Sequence, residues 1–549
     1  MERKYLLFIL ALLCVYCLGF GINIMDIDAG QYASMSREML ETGHFLQVFD
    51  MGKDYLDKPP FLFWISAMSM KIFGVNNFAY RLPSFLFGML AVLSTYKLAN
   101  LFYSQKTSFI AAFVLASTQG FILMNHDVRT DTILMGCVVF SIWQLAAWFQ
   151  LQKPIHFVAA FAAIGLGMMT KGPIALMVPC FAFGTHFILQ RNWAAILKWE
   201  YLLGILIILI CIFPMCWGLY HQFDAHPEKL IDGKQGVSGL RFFFWTQSFG
   251  RITGESSWNN GANIFFLLQN MAWSFLPWIL FFLIGFFKQI AALLKQKCII
   301  SKQQEAITIG GFLLSYLSLG MSKYQLPHYI FVAFPFAAII TAKYLTALFE
   351  GQKEKARKLW LNLHFFIFVL LWLVLIVLLA IPFQTISKVY PILAGFTLIG
   401  LVILYFSIRK KQTAILMICL YSSIGLNLFL NGLFYPALLQ YQAGSTAGTW
   451  IHQHHIPTKN TFTYQYFVWR SLHFYAQGLI HAKDDISTIQ SGDYILTEAT
   501  KLKDFENKPL RYEVLHQGVD FPVSKISLPF LDPKQRESSL RKYVLIKIK

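Results

Sequence analysis

Apolar runs of about 20 residues, each long enough to cross a hydrocarbon layer, recur along the chain. They predict thirteen helical spans, at approximately 5–24, 80–103, 107–125, 132–150, 156–171, 173–190, 200–220, 263–287, 306–320, 327–348, 360–381, 388–408 and 413–436. Only Lys171-Gly172-Pro173 parts the fifth from the sixth. Two connections are long, 25–79 and 221–262. In the first, Tyr32, Met35, Met39 and Leu40 share one helical face and Ser34, Arg37, Glu38 and Glu41 the other. That pattern predicts an amphipathic helix on the membrane surface. "PPFLFWISAMSMKIFG" predicts a second such helix with proline at its start. After residue 436 the spans give way to "TFTYQYFVW", "DYILTEA", "YEVLHQG" and "YVLIKIK", which read as strands. The expected architecture is therefore an all-α polytopic membrane domain over 1–436 and a C-terminal α/β soluble domain over 437–549.

Composition agrees. Hydrophobic residues make up 56% of the chain and charged residues 13%, against roughly 25% charge in a soluble protein. Mean hydropathy is +0.52. The first apolar run, Tyr5 to Ile22, has no small-residue cleavage site after it, so it reads as a retained helix. The net charge of +18 would suggest nucleic acid in a soluble protein. Here the basic residues collect in alternate connections: Arg3 and Lys4, Lys106, Lys153, Arg191, Lys198, Lys288, Lys295, Lys297, Lys302, the run Lys353 to Lys358, and Arg409-Lys410-Lys411. Basic loops face the cytoplasm. The N-terminus is thus expected inside, the two long loops and the C-terminal domain outside, and the partners are membrane lipids rather than nucleic acid. Seven of eight cysteines fall in spans and Cys298 in a basic loop, so no disulfide framework is implied.

The outer connections carry charge that orientation does not require. Asp26 and Asp28 precede the first loop helix, and Asp28 with Gln31 also fits a capping box. Asp57 and Lys58 stand before Pro59-Pro60; as a surface ion pair they would contribute little, whereas a lysine there can hold a phosphate. "NHDVRTDTILMG" packs His126, Asp127, Arg129 and Asp131 between two spans, although Asp131 also suits a helix cap. Lys171 sits at a break between spans, where snorkelling is the plain alternative. Arg251 in "TQSFGRITGESS", and Lys323, Tyr324, His328 and Tyr329 in "MSKYQLPHYIF", fall on the same side. Cations on the face that should be depleted of them, beside apolar walls, suit an anionic lipid-borne ligand such as a polyprenyl phosphate, with an aspartate for an acceptor.

In order along residues 20–340, "DAGQYASMSREMLETGHF", "YLDKPPFLFW", "VRTDTI", "MTKGPIALMVP", "FFFWTQSFGRI" and "LPHYIFVAFP" resemble the bacterial aminoarabinose transferases of lipid A. Those belong to the wider protein O-mannosyltransferase-like family with the type C glycosyltransferase fold. The resemblance implies transfer of a sugar from a polyprenyl-phosphate carrier to an acceptor at the periplasmic face of the bacterial inner membrane. It places Asp28 and Asp131 at the family's catalytic acids, and Lys58, Arg251 and Tyr329, joined here by Lys171, at the carrier phosphate. The chain departs from the family at Ala29, where an acid is common, at Asp57, where the aminoarabinose enzymes have Glu, and near Ser248, where they have His. That Glu and His can hold a metal ion. With those two positions changed no cofactor is certain, a divalent metal ion stays open with His328 or His126 as substitute ligands, and Asp57, His328 and His126 are the candidates for a metal or the acceptor. The expected function is an inverting glycosyltransferase acting on lipid A, another glycan or a protein. The alternatives are a transporter or flippase for an anionic lipid-linked substrate and a subunit that only binds lipid.

Overall fold

A computed structural model describes residues 3–231, 233–255, 258–351, 354–383, 385–465, 469–508 and 510–549. Lys353, Ser256-Ser257 and residues 466–468 of the first predicted strand lie outside them. Every predicted span contains helix, although some are interrupted. Among the described residues eight helices are long and apolar enough to cross a membrane, or nine with one bent pair counted as a span. The rest are shorter or interrupted, each for a local reason. The pair Gln105–Ala116 and Gln119–His126 bends by 54°. At that break Ser117 and Thr118 turn their hydroxyls back onto the Phe113 and Leu115 carbonyls. The segment expected over 263–287 divides into Phe266–Ser274 and Ile279–Lys295 around Pro277, which cannot continue a helix. Gly172, at φ 84°, ends the helix that carries Lys171 in a backbone region that suits glycine.

The long connections gather at one end of the bundle, and the basic turns at the other. In the first connection, helices Asp28–Thr42 and Phe61–Phe73 pack against each other. Gln222, after the helix Glu200–Leu219, ties the second connection to the first. It exchanges hydrogen bonds with the Val48 backbone at 3.0 and 2.9 Å and donates to Asp54 at 2.8 Å. Gly218 permits this approach, since a Cβ there would collide with the Leu46 carbonyl.

The C-terminal segment forms a five-stranded sheet ordered His481–Ala482, Thr461–Thr463, Tyr494–Glu498, Arg541–Ile548, Tyr512–Asp520. The first three strands run parallel and the last two join antiparallel. Strand periodicity explains how it packs. Tyr543 and Leu545 face the helix Ala443–Gln453, while Val544, Ile546 and Ile548 face Phe505.

This domain corrects the expected surface helix. Most of the polar face of helix Asp28–Thr42 is covered: Glu41 alone of the four stays exposed, while Ser34, Arg37 and Glu38 are as buried as Tyr32, Met35 and Met39. The helix Arg470–Tyr475 covers them, with the Ser34 hydroxyl donating to the Arg470 carbonyl and Arg470 paired to Asp50 at 3.1 Å. Asp26 is part of the same seam. Its carboxylate accepts from the Ser471 amide at 3.0 Å and from the Ser471 hydroxyl, and its own amide donates to Gln442. Burial raises the Asp26 carboxyl to about 7.

Candidate active site

Five segments far apart in sequence bring the predicted charges together. Lys58, Lys171, Arg251 and Tyr329 line one cavity, with Ile174, Met177, Phe249 and Leu319 supplying its apolar wall. Each polar member is held by another. Lys58 pairs with Asp57 at 2.5 Å, and Asp57 also faces Arg251 at 3.5 Å. Arg251 donates to the Tyr329 hydroxyl at 2.9 Å, and its guanidinium lies 5.5 Å over the Tyr324 ring. The Lys171 ammonium sits 3.9 Å over the Tyr329 ring and pairs with Asp131 at 2.5 Å. His328 faces the other Asp131 oxygen at 3.6 Å.

These contacts decide several sequence-level alternatives. Lys171 does not snorkel into water; it is drawn inward by Asp131, whose side chain is 1% exposed. Asp57 and Lys58 are not a solvated surface pair, since the Lys58 side chain is only 14% exposed. Asp28 does not cap its helix, whose entry makes no side-chain cap hydrogen bond. Its carboxylate instead pairs with Arg129, which also grips Asp127 through two nitrogens at 3.1 and 3.0 Å. Burial alone would depress the Arg129 guanidinium. The two carboxylates more than offset that and raise its pKa above the ordinary value. Gln31, the other half of the expected capping box, donates to Asp50.

Asp28 is 33% exposed and remains open to a ligand. Burial, then Asp28, then Asp57 raise the Tyr324 phenol, which places both carboxylates within electrostatic reach of the ring that covers Arg251. The Tyr55 phenol is likewise raised by burial, Asp57, Asp50 and Asp28. Asp28 thus stands in the same electrostatic neighbourhood as Asp57 and Tyr324, held by Arg129, and it does not line the cavity itself.

Two predicted members stand apart. Asp26 is enclosed by the C-terminal domain, as described above. His126 is buried, with its ring 4.8 Å from Tyr435 and both ring nitrogens without a hydrogen-bond partner. Its carbonyl serves Arg81, a fully buried arginine that also holds the Phe20 and Asn23 carbonyls. Among the described residues no three His, Cys, Asp or Glu side chains gather to hold a metal ion, and Asp57, His328 and His126 do not converge. Their suggested metal role is not supported by the arrangement. Gln247 was not singled out from the sequence. It donates to the Asp57 carbonyl and stands 3.3 Å from its carboxylate, so it helps aim that acid. Its place four residues before Arg251 was the available signal.

Residues 57–217 match the family described as dolichyl-phosphate-mannose-protein mannosyltransferase. The chain is 25% identical over 487 residues to an uncharacterized protein of Aquifex aeolicus (strain VF5), covering 87% of this chain and 88% of that one. It is also 25% identical over 367 residues to the undecaprenyl phosphate-alpha-4-amino-4-deoxy-L-arabinose arabinosyl transferase of Pseudomonas savastanoi pv. phaseolicola (strain 1448A / Race 6). That match spans 65% of this chain and 64% of the relative, just under two thirds of its length. The crystal structure of ArnT from Cupriavidus metallidurans bound to undecaprenyl phosphate superposes with a TM-score of 0.74 at 16% identity, over 98% of this chain and 97% of that one. An oligosaccharyltransferase from Archaeoglobus fulgidus in the apo form gives 0.53 at 12% identity, over 90% and 70%. The fold is the type C glycosyltransferase fold expected from the sequence, in a multi-pass membrane protein. The resemblance of its motifs to the lipid A aminoarabinose transferases is borne out.

Proposed function

We propose that this chain is an integral-membrane glycosyltransferase that moves a sugar from a polyprenyl-phosphate carrier to lipid A or another periplasmic glycan or protein. The observation that carries this reading is the cavity in which Lys58, Lys171 and Arg251 converge on one apolar-walled space. Three cations and a phenol there suit a phosphate at the end of a hydrocarbon chain. The matched relatives include an enzyme named for an undecaprenyl-phosphate-linked sugar and a structure holding undecaprenyl phosphate, which support the same substrate class.

The cations do their work as the bond breaks. An acceptor oxygen attacks the anomeric carbon from the face opposite the phosphate. The carbon–oxygen bond to the phosphate opens, and its electron pair stays on the departing phosphate oxygen. Lys58, Arg251 and Tyr329 neutralise that developing charge, the usual electrostatic contribution to such a step. Lys171 adds to it from its seat on Asp131. Asp28, steadied by Arg129, orients a hydroxyl acceptor and takes its proton; for an acceptor already ionised it only positions. Attack from the opposite face inverts the sugar. Asp131 touches Lys171 rather than the cavity, so it is assigned as a positioning residue.

The basic turns face the cytoplasm on this reading, which leaves the site and the C-terminal domain on the periplasmic face of the bacterial inner membrane. A flippase would use the same outer cations without breaking a bond. Purified protein incubated with a labelled polyprenyl-phosphate sugar separates the two: the transferase releases free carrier phosphate, and carrier that stays fully glycosylated with every acceptor class refutes the proposal.

A further inference from the structure

At the end of the bundle away from the site, a cavity of about 430 Å³ opens between three helices. Its walls are the first turns of Glu354–Ala380, the last turn of Val389–Ile408, and the turn into Ala414–Phe429. Among the described residues five cations line it, Arg357, Lys358, Arg409, Lys410 and Lys411, against one carboxylate, Glu354. Glu354 is already engaged by Lys358 at 2.8 Å. Arg357 donates to the Gly351 carbonyl at 3.3 Å, and Arg409 lies 5.2 Å over the Phe406 ring. Among the described residues, Lys410 and Lys411 make no ion pair. The Tyr405 hydroxyl bonds to the Asn362 amide oxygen at 2.7 Å, so the two helices are locked together beneath the cations.

We propose that this cavity binds the phosphate headgroup of an anionic membrane phospholipid. Orientation in the membrane needs positive charge on this side but no cavity, so the enclosure is left to explain. Basic pockets between membrane helices are suited to anionic headgroups. The helices that supply the walls also carry large apolar side chains left exposed among the described residues. Leu359 and Phe366 are 66% and 69% exposed on one helix, and Ile403 and Phe406 are 62% and 58% exposed on the next. Acyl chains can lie on those side chains while the phosphate sits among the cations. A free phosphate would use the cavity and leave those side chains bare.

The test uses the full chain in detergent, with native mass spectrometry of retained phosphatidylglycerol and phosphatidylcholine. Wild type should retain phosphatidylglycerol selectively. Arg409→Gln/Lys410→Gln/Lys411→Gln should lower that occupancy at least about tenfold, and Arg357→Gln alone should lower it severalfold, as the loss of surface cations implies. Arg357→Gln leaves the 409–411 turn intact, so it reports even where the triple variant inserts poorly. Lys295→Gln/Lys297→Gln, in another basic turn at the same end, should change nothing. Equal retention of the two lipids, or unchanged retention in both pocket variants, overturns the proposal. So does complete displacement of the lipid by millimolar inorganic phosphate, which would mark a small-anion site. Neither the binding nor its loss depends on sugar transfer, so this inference stands or falls apart from the proposed activity.

Discussion

The two ends of the helical bundle are both rich in positive charge but hold it in opposite ways. At the site end Lys58, Lys171, Arg251 and Arg129 each face a carboxylate, and their side chains are 18% exposed or less. At the other end Lys358, Arg409, Lys410 and Lys411 are exposed, and several lack a carboxylate partner among the described residues. Partnered, partly buried charge is fixed before any ligand arrives, which electrostatic stabilisation of a transition state requires. Exposed charge suffices for orientation and for a headgroup. Removing a cation should therefore cost catalysis at one end and leave it untouched at the other.

The largest effect should come from Asp28→Asn. It removes the carboxylate proposed to orient the acceptor, and turnover should fall by about 10²–10⁴, the range for a positioned acid or base, with expression unchanged. Full activity in that variant would remove Asp28 from the mechanism. Next, Arg251→Met and Lys171→Met should each lower turnover by about 10²–10³, as losing one oxyanion donor does. Arg409→Gln/Lys410→Gln/Lys411→Gln, measured beside them, should keep wild-type turnover per folded molecule. Equal losses at both ends would erase the distinction.

Much of this comparison is legible in the sequence. A helix that crosses lipid needs a long apolar run, so the spans declare themselves. Basic residues in connections that the charge pattern assigns to the outer side break a strong rule, which is why Lys58, Lys171 and Arg251 stand out. What the sequence hides is pairing across distance. Asp28 reads as a cap because Gln31 lies three residues on; its real partner, Arg129, is 101 positions away. His126 sits one residue from Asp127, yet its ring turns toward Tyr435. The polar face of helix Asp28–Thr42 looks solvated because nothing local announces that the C-terminal domain will cover it.

That seam supplies a smaller, pH-dependent effect. Asp26 keeps its proton in the folded state up to about pH 7, because burial penalises its charge first of all, while Ser471 and Arg470 oppose the rise and Asp520 adds to it. Its ordinary value is 3.8, so the folded state binds more protons between these limits. Stability should therefore fall as pH rises from about 4 to about 7, by up to a few kcal/mol, and the Asp26 contribution should be flat above that. Thermal unfolding of wild type and Asp26→Asn across this range checks it: the variant should lose that part of the slope. The smallest loss expected at the site end is that of Gln247→Ala, which frees Asp57 from one guide. Turnover should drop only severalfold, within the range of one net hydrogen bond of about 1 kcal/mol. A loss as large as that of Arg251→Met would mean that Gln247 touches the substrate.

The central claim is that the site-end cavity grips the carrier by its phosphate. Equilibrium binding of polyprenyl phosphate and of the matching polyprenol, to wild type and to Lys58→Gln, tests it most directly. The account predicts that the phosphate binds far more tightly than the alcohol to wild type and loses most of that advantage in the variant. Equal affinity for the two lipids in wild type, or an advantage untouched by Lys58→Gln, would contradict it.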